Sequence, residues 1–191
     1  EALEDGFAGA TLGMECSGVV VRAGAGADLS VGDDVIAFGP ASFATHMTVA
    51  ARAVAPLPDG TNFDTAASAP TIFITAQYSL VELARLRPGE TVLIHGGAGG
   101  VGLAAIQIAR RIGARIFATA GSPAKRRMLT ALGVEKVFDS RSMSFADEVM
   151  TATDGIGVDV VLNSLFGEAM ERSIGCLRPF GRFIELGKRD Y

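Results

Sequence analysis

Apolar residues in the second half of the chain fall into short runs. The runs are TVLIH (91–95), RIFATA (115–120), KVFDS (136–140), DVVLNS (159–164) and RFIEL (182–186). Between these runs, apolar residues recur at helical spacing. Five short strands joined by helical crossovers are typical of a parallel sheet covered by helices. We therefore predict an α/β, doubly wound parallel sheet over 61–191.

The first 60 residues show a different pattern, made of short β-rich runs. MECSGVVVRAG (14–24), DDVIAFG (33–39) and SFATHMTV (42–49) are separated by turns that contain Gly and Asp. These runs predict antiparallel strands. From 64 to 86 apolar residues return at helical spacing, which predicts a helical connector to the second part.

Two helix starts carry local signals in the predicted parallel domain. Ser122 is a suitable N-cap, and Pro123 then occupies the first helical position, where its missing N–H does no harm. Ser144 with Asp147 resembles a capping box. The other helices are expected over about 100–112 and about 167–177.

The segment GAGGVG (97–102) directly follows the first of the five runs and opens a helix. A GxGxxG pattern between a strand and a helix is the fingerprint of a Rossmann-type dinucleotide site. We expect Gly97 to make the tight turn, Gly99 to let the pyrophosphate approach, and Gly102 to let the helix pack closely. The first amides of that helix, those of Gly100, Val101 and Gly102, would face the phosphates.

The residues after the second run indicate which dinucleotide is bound. NAD sites place an acid about 20 residues beyond the glycines, but this position reads Thr119, Ala120, Gly121, Ser122. Cationic groups follow at Lys125 to Arg127 and at Arg141, and these suit a 2′-phosphate. NADPH is therefore expected as the cofactor. Lys125 to Arg127 could instead be a solvated helix face.

Composition narrows the possible partners and the compartment. The 191 residues are 49% hydrophobic and 20% charged, with a net charge of −4, which argues against nucleic acid and anionic membranes as partners. No signal peptide or membrane span is recognised. The two cysteines, Cys16 and Cys176, lie in no metal-binding spacing and are expected to be buried small residues. We expect a soluble, cytoplasmic protein without metal.

Five segments in order give a resemblance to a known family. GMECSG (13–18), VGDDVIAF (31–38), HGGAGGVG (95–102), VDVVLNSL (158–165) and RFIELGK (182–188) resemble the enoyl reductase domains of type I polyketide synthases and animal fatty acid synthase. These domains belong to the medium-chain dehydrogenase/reductase superfamily. The resemblance implies that 1–60 is part of a GroES-like substrate domain and that 61–191 is an NADPH-binding domain lacking its C-terminal end.

The resemblance also implies an activity and partners. In the family, a nicotinamide hydride goes to the β-carbon of an α,β-unsaturated thioester carried on an acyl carrier protein, and the α-carbon is then protonated. Neighbouring synthase domains and a homodimer are further expectations. Zinc-dependent relatives carry a His before the Glu, whereas Met14 precedes Glu15 here, so zinc is not expected.

Site residues follow from the resemblance position by position. Lys188 matches a proposed proton donor or enolate stabiliser, although a lysine that merely neutralises nearby acids or carbonyls is the alternative. Further positions match cofactor contacts: Ser122, Lys125 and Arg141 near the 2′-phosphate, Asn163, Ser164 and Leu165 along the nicotinamide ribose, and Thr75 in a helix bordering the nicotinamide.

Two other functions fit the same cofactor residues. The first is a zinc-independent NADPH quinone or alkenal oxidoreductase of the same superfamily. The second is a non-catalytic NADPH-binding module. His46 is expected to be structural, and His95 is expected to lie near the cofactor without obvious reach to a substrate.

Overall fold

The computed structural model describes residues 11–187. The chain divides into two compact units, and the division falls between Ile74 and Thr75. Lys188, the predicted proton donor or enolate stabiliser, lies outside the described residues.

The first unit contains a three-stranded antiparallel sheet in the order β1-β2-β3. Its strands are β1 (Glu15–Val19), β2 (Asp34–Phe38) and β3 (Val54–Pro56). Ala37 of the central strand pairs with Cys16 on one side and with Val54 on the other. The antiparallel arrangement expected from the sequence is confirmed.

The third strand is not the one that the sequence predicted. Segment 42–49 forms no strand, and β2 pairs instead with the later residues of β3. The segment is joined to β1 through side chains, because Ser42 Oγ accepts the Glu15 amide at 2.9 Å and Met47 Sδ lies 3.0 Å from Cys16 Sγ. A strand needs a neighbouring strand for its backbone hydrogen bonds, and the local amino-acid composition does not determine which segment will be that neighbour.

The helical connector is interrupted rather than continuous. It consists of α1 (Phe63–Ala66), α2 (Pro70–Gln77), which contains the division between the units, and a π-helical segment (Tyr78–Leu83). Asn62 caps α1 by accepting the Thr65 amide at 2.8 Å. At the end of the π-helical segment, the Ala84 amide donates to Ser79 O, five residues back, at 2.9 Å.

The second unit contains a five-stranded parallel sheet in the order β6-β5-β4-β7-β8, which confirms the predicted doubly wound sheet. The strands are β4 (Thr91–Ile94), β5 (Arg115–Ala120), β6 (Lys136–Asp139), β7 (Val158–Asn163) and β8 (Leu177–Glu185). β7 is buried along its whole length, as expected for a central strand.

Four helices connect these strands. They are α3 (Gly100–Ile112), α4 (Pro123–Ala131), α5 (Ser144–Ala152) and α6 (Glu168–Ile174). After β4, the chain adds β5 and β6 on one side of that strand and then β7 and β8 on its other side. Because crossovers between parallel strands are right-handed, α3 and α4 cover one face of the sheet, and α5 and α6 cover the other. Within 11–187 no helix is long and apolar enough to cross a membrane.

One of the two predicted helix starts is confirmed and the other is wrong in detail. Ser122 Oγ accepts the Lys125 amide at 3.3 Å, and Pro123 is the first residue of α4. Ser144 is no cap, because it is already the first residue of α5 and its hydroxyl donates to Glu148 Oε1 at 2.8 Å. Its amide is satisfied by the preceding Ser142 Oγ at 3.2 Å.

Candidate functional site

The glycine loop between β4 and α3 is closed by backbone hydrogen bonds. The Gly97 amide donates to Thr119 O at 2.9 Å, and the Gly99 amide donates to Gly96 O at 2.8 Å. Gly96 has a φ of +61°, so the left-handed residue of the turn is Gly96 and not the predicted Gly97. The sequence contained this signal, because Gly96 directly precedes the recognised motif.

Two of the three glycines of the motif leave no room for a side chain, and the third leaves little. A Cβ on Gly97 would lie 2.9 Å from the Ala118 Cβ, and one on Gly102 would lie 2.6 Å from the Gly97 Cα. A Cβ on Gly99 would lie 3.3 Å from Gly96 O. The helix start therefore contacts the turn directly, which is the close approach expected of Gly102.

The beginning of α3 can hold an anion. Gly100, Val101 and Gly102 are its first three residues, and an α-helix leaves its first amides without intrahelical acceptors. The partial positive charge of the helix dipole is concentrated at the same end. The loop and helix start thus fit the pyrophosphate of a dinucleotide.

An arginine side chain from beyond β6 lies at the end of β5, where NAD sites carry an acid. A Cβ on Gly121 would lie 3.0 Å from Arg141 Nε and 3.5 Å from Arg141 Cγ. The Arg141 side chain, which comes from the end of the neighbouring β6, therefore lies across Gly121. Ser122, the N-cap of α4, and Lys125, an exposed residue of its first turn, follow Gly121 in the chain. The structure therefore places the Arg141 side chain against the segment that carries the other two predicted residues.

Arg126 is not part of a merely solvated helix face. Its Nη1 lies 2.9 Å from Asp139 Oδ2 and donates to Ala120 O at 3.0 Å. The other oxygen of Asp139 accepts the Arg141 amide at 2.9 Å. Sequence reasoning missed Asp139, although its place at the end of the predicted strand KVFDS could have indicated it. Lys125 has the exposure expected of either interpretation.

The loop after β7 is held by the buried side chain of Asn163. Asn163 Nδ2 donates to Leu165 O at 2.8 Å and to Glu185 Oε2 at 2.6 Å, and its Oδ1 accepts the Leu165 amide at 3.2 Å. These bonds occupy the amide group, so Asn163 shapes the loop. Ser164 is exposed, and a Cβ on Gly96 would lie 3.5 Å from its hydroxyl. This loop therefore borders the glycine turn.

His95 is a buried residue at the end of β4. Its Nδ1 lies 3.0 Å from Thr119 Oγ1, its Nε2 lies 2.9 Å from Ser173 Oγ, and its ring packs edge-on against Phe145. Burial lowers the pKa of His95 from 6.5 to about 4. The imidazole is therefore neutral near pH 7 and holds the strand end next to the glycine turn.

The remaining predicted residues are Thr75 and the two cysteines. Thr75 is half-buried in α2, which precedes the parallel sheet in the chain. Burial raises the pKa of the Cys176 thiol to about 11 and also raises that of Cys16. Among the described residues, no three His, Cys, Asp or Glu side chains are grouped to hold a metal ion.

The chain is similar to dehydrogenases and to polyketide synthases. A family model described as zinc-binding dehydrogenase matches residues 100–190. A curated relative, a phenolphthiocerol/phthiocerol polyketide synthase of Mycobacterium tuberculosis, is 56% identical over 180 residues. The match covers 94% of this chain but only 8% of that protein, so the chain spans a small part of such relatives.

Two solved structures are similar over one or both units. CurK enoyl reductase has a TM-score of 0.88 and 45% identity, and the match covers 95% of this chain and 55% of that chain. The nucleotide-binding subdomain of the enoylreductase domain of PpsC from Mycobacterium tuberculosis has a TM-score of 0.62 and 63% identity. That match covers 63% of this chain and 67% of the subdomain.

Proposed function

This chain belongs to the enoyl reductase domains of polyketide synthases, in the medium-chain dehydrogenase/reductase superfamily, and we propose from this membership that it binds NADPH for enoyl reduction. The substrate is an α,β-unsaturated thioester carried on an acyl carrier protein. In this proposal, 1–60 contributes to a GroES-like substrate domain and 61–191 is the NADPH-binding domain.

The observation that carries the proposal is the pair formed by the glycine loop and Arg141. The loop has no space for side chains at Gly97 and Gly102, so the backbone is left open to a pyrophosphate. The Arg141 guanidinium group lies over Gly121, where a carboxylate would repel a 2′-phosphate. Ser122 and Lys125 add a hydroxyl and a cation at the same strand ends.

Bound NADPH would supply the hydride that adds to the β-carbon of the thioester. The residues of this chain would then have four tasks. Gly97 and Gly99 would let the pyrophosphate approach the first amides of α3, which would hold it, and the loop shaped by Asn163, with Ser164 and Leu165, would contact the nicotinamide ribose. Thr75 would contact the nicotinamide, and Lys188 would protonate the α-carbon or stabilise the enolate.

The partners in the proposal are those of a synthase domain. They are an acyl carrier protein and neighbouring synthase domains, because the curated relative is a polyketide synthase more than ten times longer than the match. A homodimer and a cytoplasmic location are also part of the proposal. Neither a metal nor a nucleic acid has a role in it.

The test compares two substrates in the full-length protein. NADPH oxidation is followed with a crotonyl pantetheine thioester and, in parallel, with a simple quinone. We expect faster oxidation with the thioester and a clear preference for NADPH over NADH. The Gly102→Ala variant is the control, because it should lose the signal with both acceptors.

The other functions predict different outcomes of this experiment. Preference for the quinone would indicate a quinone or alkenal oxidoreductase, with the same cofactor residues. NADPH binding without oxidation by either acceptor would indicate a non-catalytic module. Absence of NADPH binding would contradict the cofactor assignment itself.

A further inference from the structure

An acidic side chain lies beside the cationic groups at the ends of β5 and β6. Asp139 is the last residue of β6, and its side chain is 38% exposed. Arg141, two residues later, lies across Gly121. A carboxylate at this place would weaken the binding of a phosphate by charge alone, so its presence calls for another role.

Both oxygens of the Asp139 carboxylate are engaged in local contacts. Oδ2 forms the ion pair with Arg126 at 2.9 Å, and Oδ1 accepts the Arg141 amide at 2.9 Å. The second contact is an Asx-turn, in which an Asp side chain bonds the backbone two residues on. The first contact fixes the carboxylate from the α4 side.

Arg126 extends this arrangement to the neighbouring strand. The same Nη1 that pairs with Asp139 donates to Ala120 O, the last carbonyl of β5, at 3.0 Å. Asp139 is therefore joined to the end of β5 through Arg126 and to the turn after β6 through the Arg141 amide. Because the pair Arg126 and Asp139 carries no net charge, Arg141 and Lys125 are left as the cations of this region.

We propose that Asp139 is a positioning residue that fixes the turn at Arg141 and thereby sets the preference of the site for NADPH over NADH. This inference rests on the proposed function, because it takes the groups at Gly121 as the 2′-phosphate site. Asp139 acts through Arg141 and need not touch the cofactor.

The direction in which the Kd for NADPH changes in Asp139→Ala distinguishes a positioning role of Asp139 from a purely electrostatic one. If Asp139 acted only by its charge, Asp139→Ala would remove a repulsion and tighten NADPH. If it positions Arg141, the same variant loses a charge-assisted phosphate contact, which corresponds to a roughly tenfold weaker Kd for NADPH. The Kd for NADH should stay within about threefold in either case, because NADH has no 2′-phosphate.

The experiment measures equilibrium Kd values for NADPH and NADH in the full-length protein, from the change in dinucleotide fluorescence and without substrate. Asp139→Asn should retain most of the preference, because the amide oxygen can still accept the Arg141 amide. Arg141→Ala gives the loss of NADPH affinity that is expected when the Arg141 guanidinium is absent. The double variant Asp139→Ala with Arg141→Ala should lose no more than Arg141→Ala alone.

Glu135→Gln is the matched control. It removes the charge of Glu135 from an exposed ion pair with Arg115, at the opposite ends of β5 and β6, in which Nη2 lies 2.5 Å from Oε1. We expect no change in the ratio of the two Kd values for this variant.

The outcomes distinguish the inference from the proposed function. If wild-type protein does not prefer NADPH, the proposed cofactor is wrong. If wild-type protein prefers NADPH and Asp139→Ala binds it as tightly or more tightly, the positioning role is overturned. If Asp139→Ala does not fold, Asp139→Leu decides the question, because a leucine side chain of similar size cannot accept the Arg141 amide, and NADPH binding as tight as in wild-type protein would then overturn the role.

Discussion

At the scale of the residue, the neighbours of His95 determine its tautomer. Ser173 Oγ donates to Ala169 O at 2.7 Å, so toward His95 it accepts, and the imidazole proton is on Nε2. Nδ1 then accepts from the Thr119 hydroxyl. A second ring proton, on Nδ1, would have to displace that hydroxyl proton, and His95 is only 4% exposed, so water cannot readily solvate the resulting charge. The neutral form is the one that satisfies the network.

This burial makes folding stability depend on pH. The unfolded chain binds a proton on His95 near pH 6.5, but the folded chain binds it only near pH 4, so acidification through this interval favours unfolding. The contribution lost between about pH 7 and about pH 5 is roughly 2 kcal/mol. We expect His95→Gln to reduce the difference in urea-measured unfolding free energy between these pH values by this amount.

The control for this prediction is His46→Gln, because His46 is exposed. That variant should retain the pH dependence of the wild-type protein. An unchanged pH dependence in His95→Gln would contradict the buried neutral histidine.

At the scale of the element, the start of α3 contacts the turn after β4 without any side chain between them. A Cβ on Gly102 would lie 2.7 Å from the Gly97 carbonyl carbon, and backbone atoms cannot move aside as the end of a flexible side chain can. The position of the first α3 amides, and with it the anion site, therefore depends on this glycine.

Gly102→Ala should consequently affect both stability and binding. Overpacking of this kind costs about 1 to 3 kcal/mol, and displacement of the helix start should weaken NADPH by at least about tenfold. Thermal unfolding and NADPH titration measure the two effects. Gly18→Ala is the matched control, because Gly18 has no atom within 4 Å of its added Cβ and no positive φ. Equal NADPH affinity in wild-type protein and Gly102→Ala would contradict this account.

The sequence predicted the elements whose signals are local and missed those that depend on distant partners. The strand, glycine loop and helix from 91 to 112 were all recognisable from a short window. Segment 42–49 has the composition of a strand, but β2 pairs with β3 instead. The place of Asp139 at the end of the strand KVFDS could be predicted, but its ion pair with Arg126 could not, because that contact forms only when β5 and β6 become neighbours.

At the scale of the second unit, the strand order reverses between β4 and β7. In open α/β sheets, ligands bind at such a switch point, outside the carboxyl ends of the strands. The glycine loop follows β4, and the loop shaped by Asn163 follows β7. The predicted cofactor residues in these two loops therefore lie at the switch point of the sheet, where the topology favours ligand binding.

The end of β8 lies beside the loop that follows β7. Glu185 accepts from Asn163 Nδ2, and the Leu186 amide donates to Asn163 O at 3.0 Å, so the last described residues run beside the loop after β7. Lys188 follows Gly187 directly in the sequence. A lysine that acts on the substrate should affect turnover, whereas one that only neutralises nearby acids or carbonyls should affect stability.

We therefore expect Lys188→Ala in the full-length protein to lower kcat for the crotonyl thioester by about 10² or more, the size of a general-acid contribution. The Kd for NADPH should remain within about threefold, because the proposal assigns the phosphate contacts to other residues. Lys136→Ala, at an exposed position at the start of β6, is the control and should change neither quantity. If NADPH affinity collapsed with Lys188→Ala, the lysine would belong to the cofactor site, and the proton donor would have to be sought on another element.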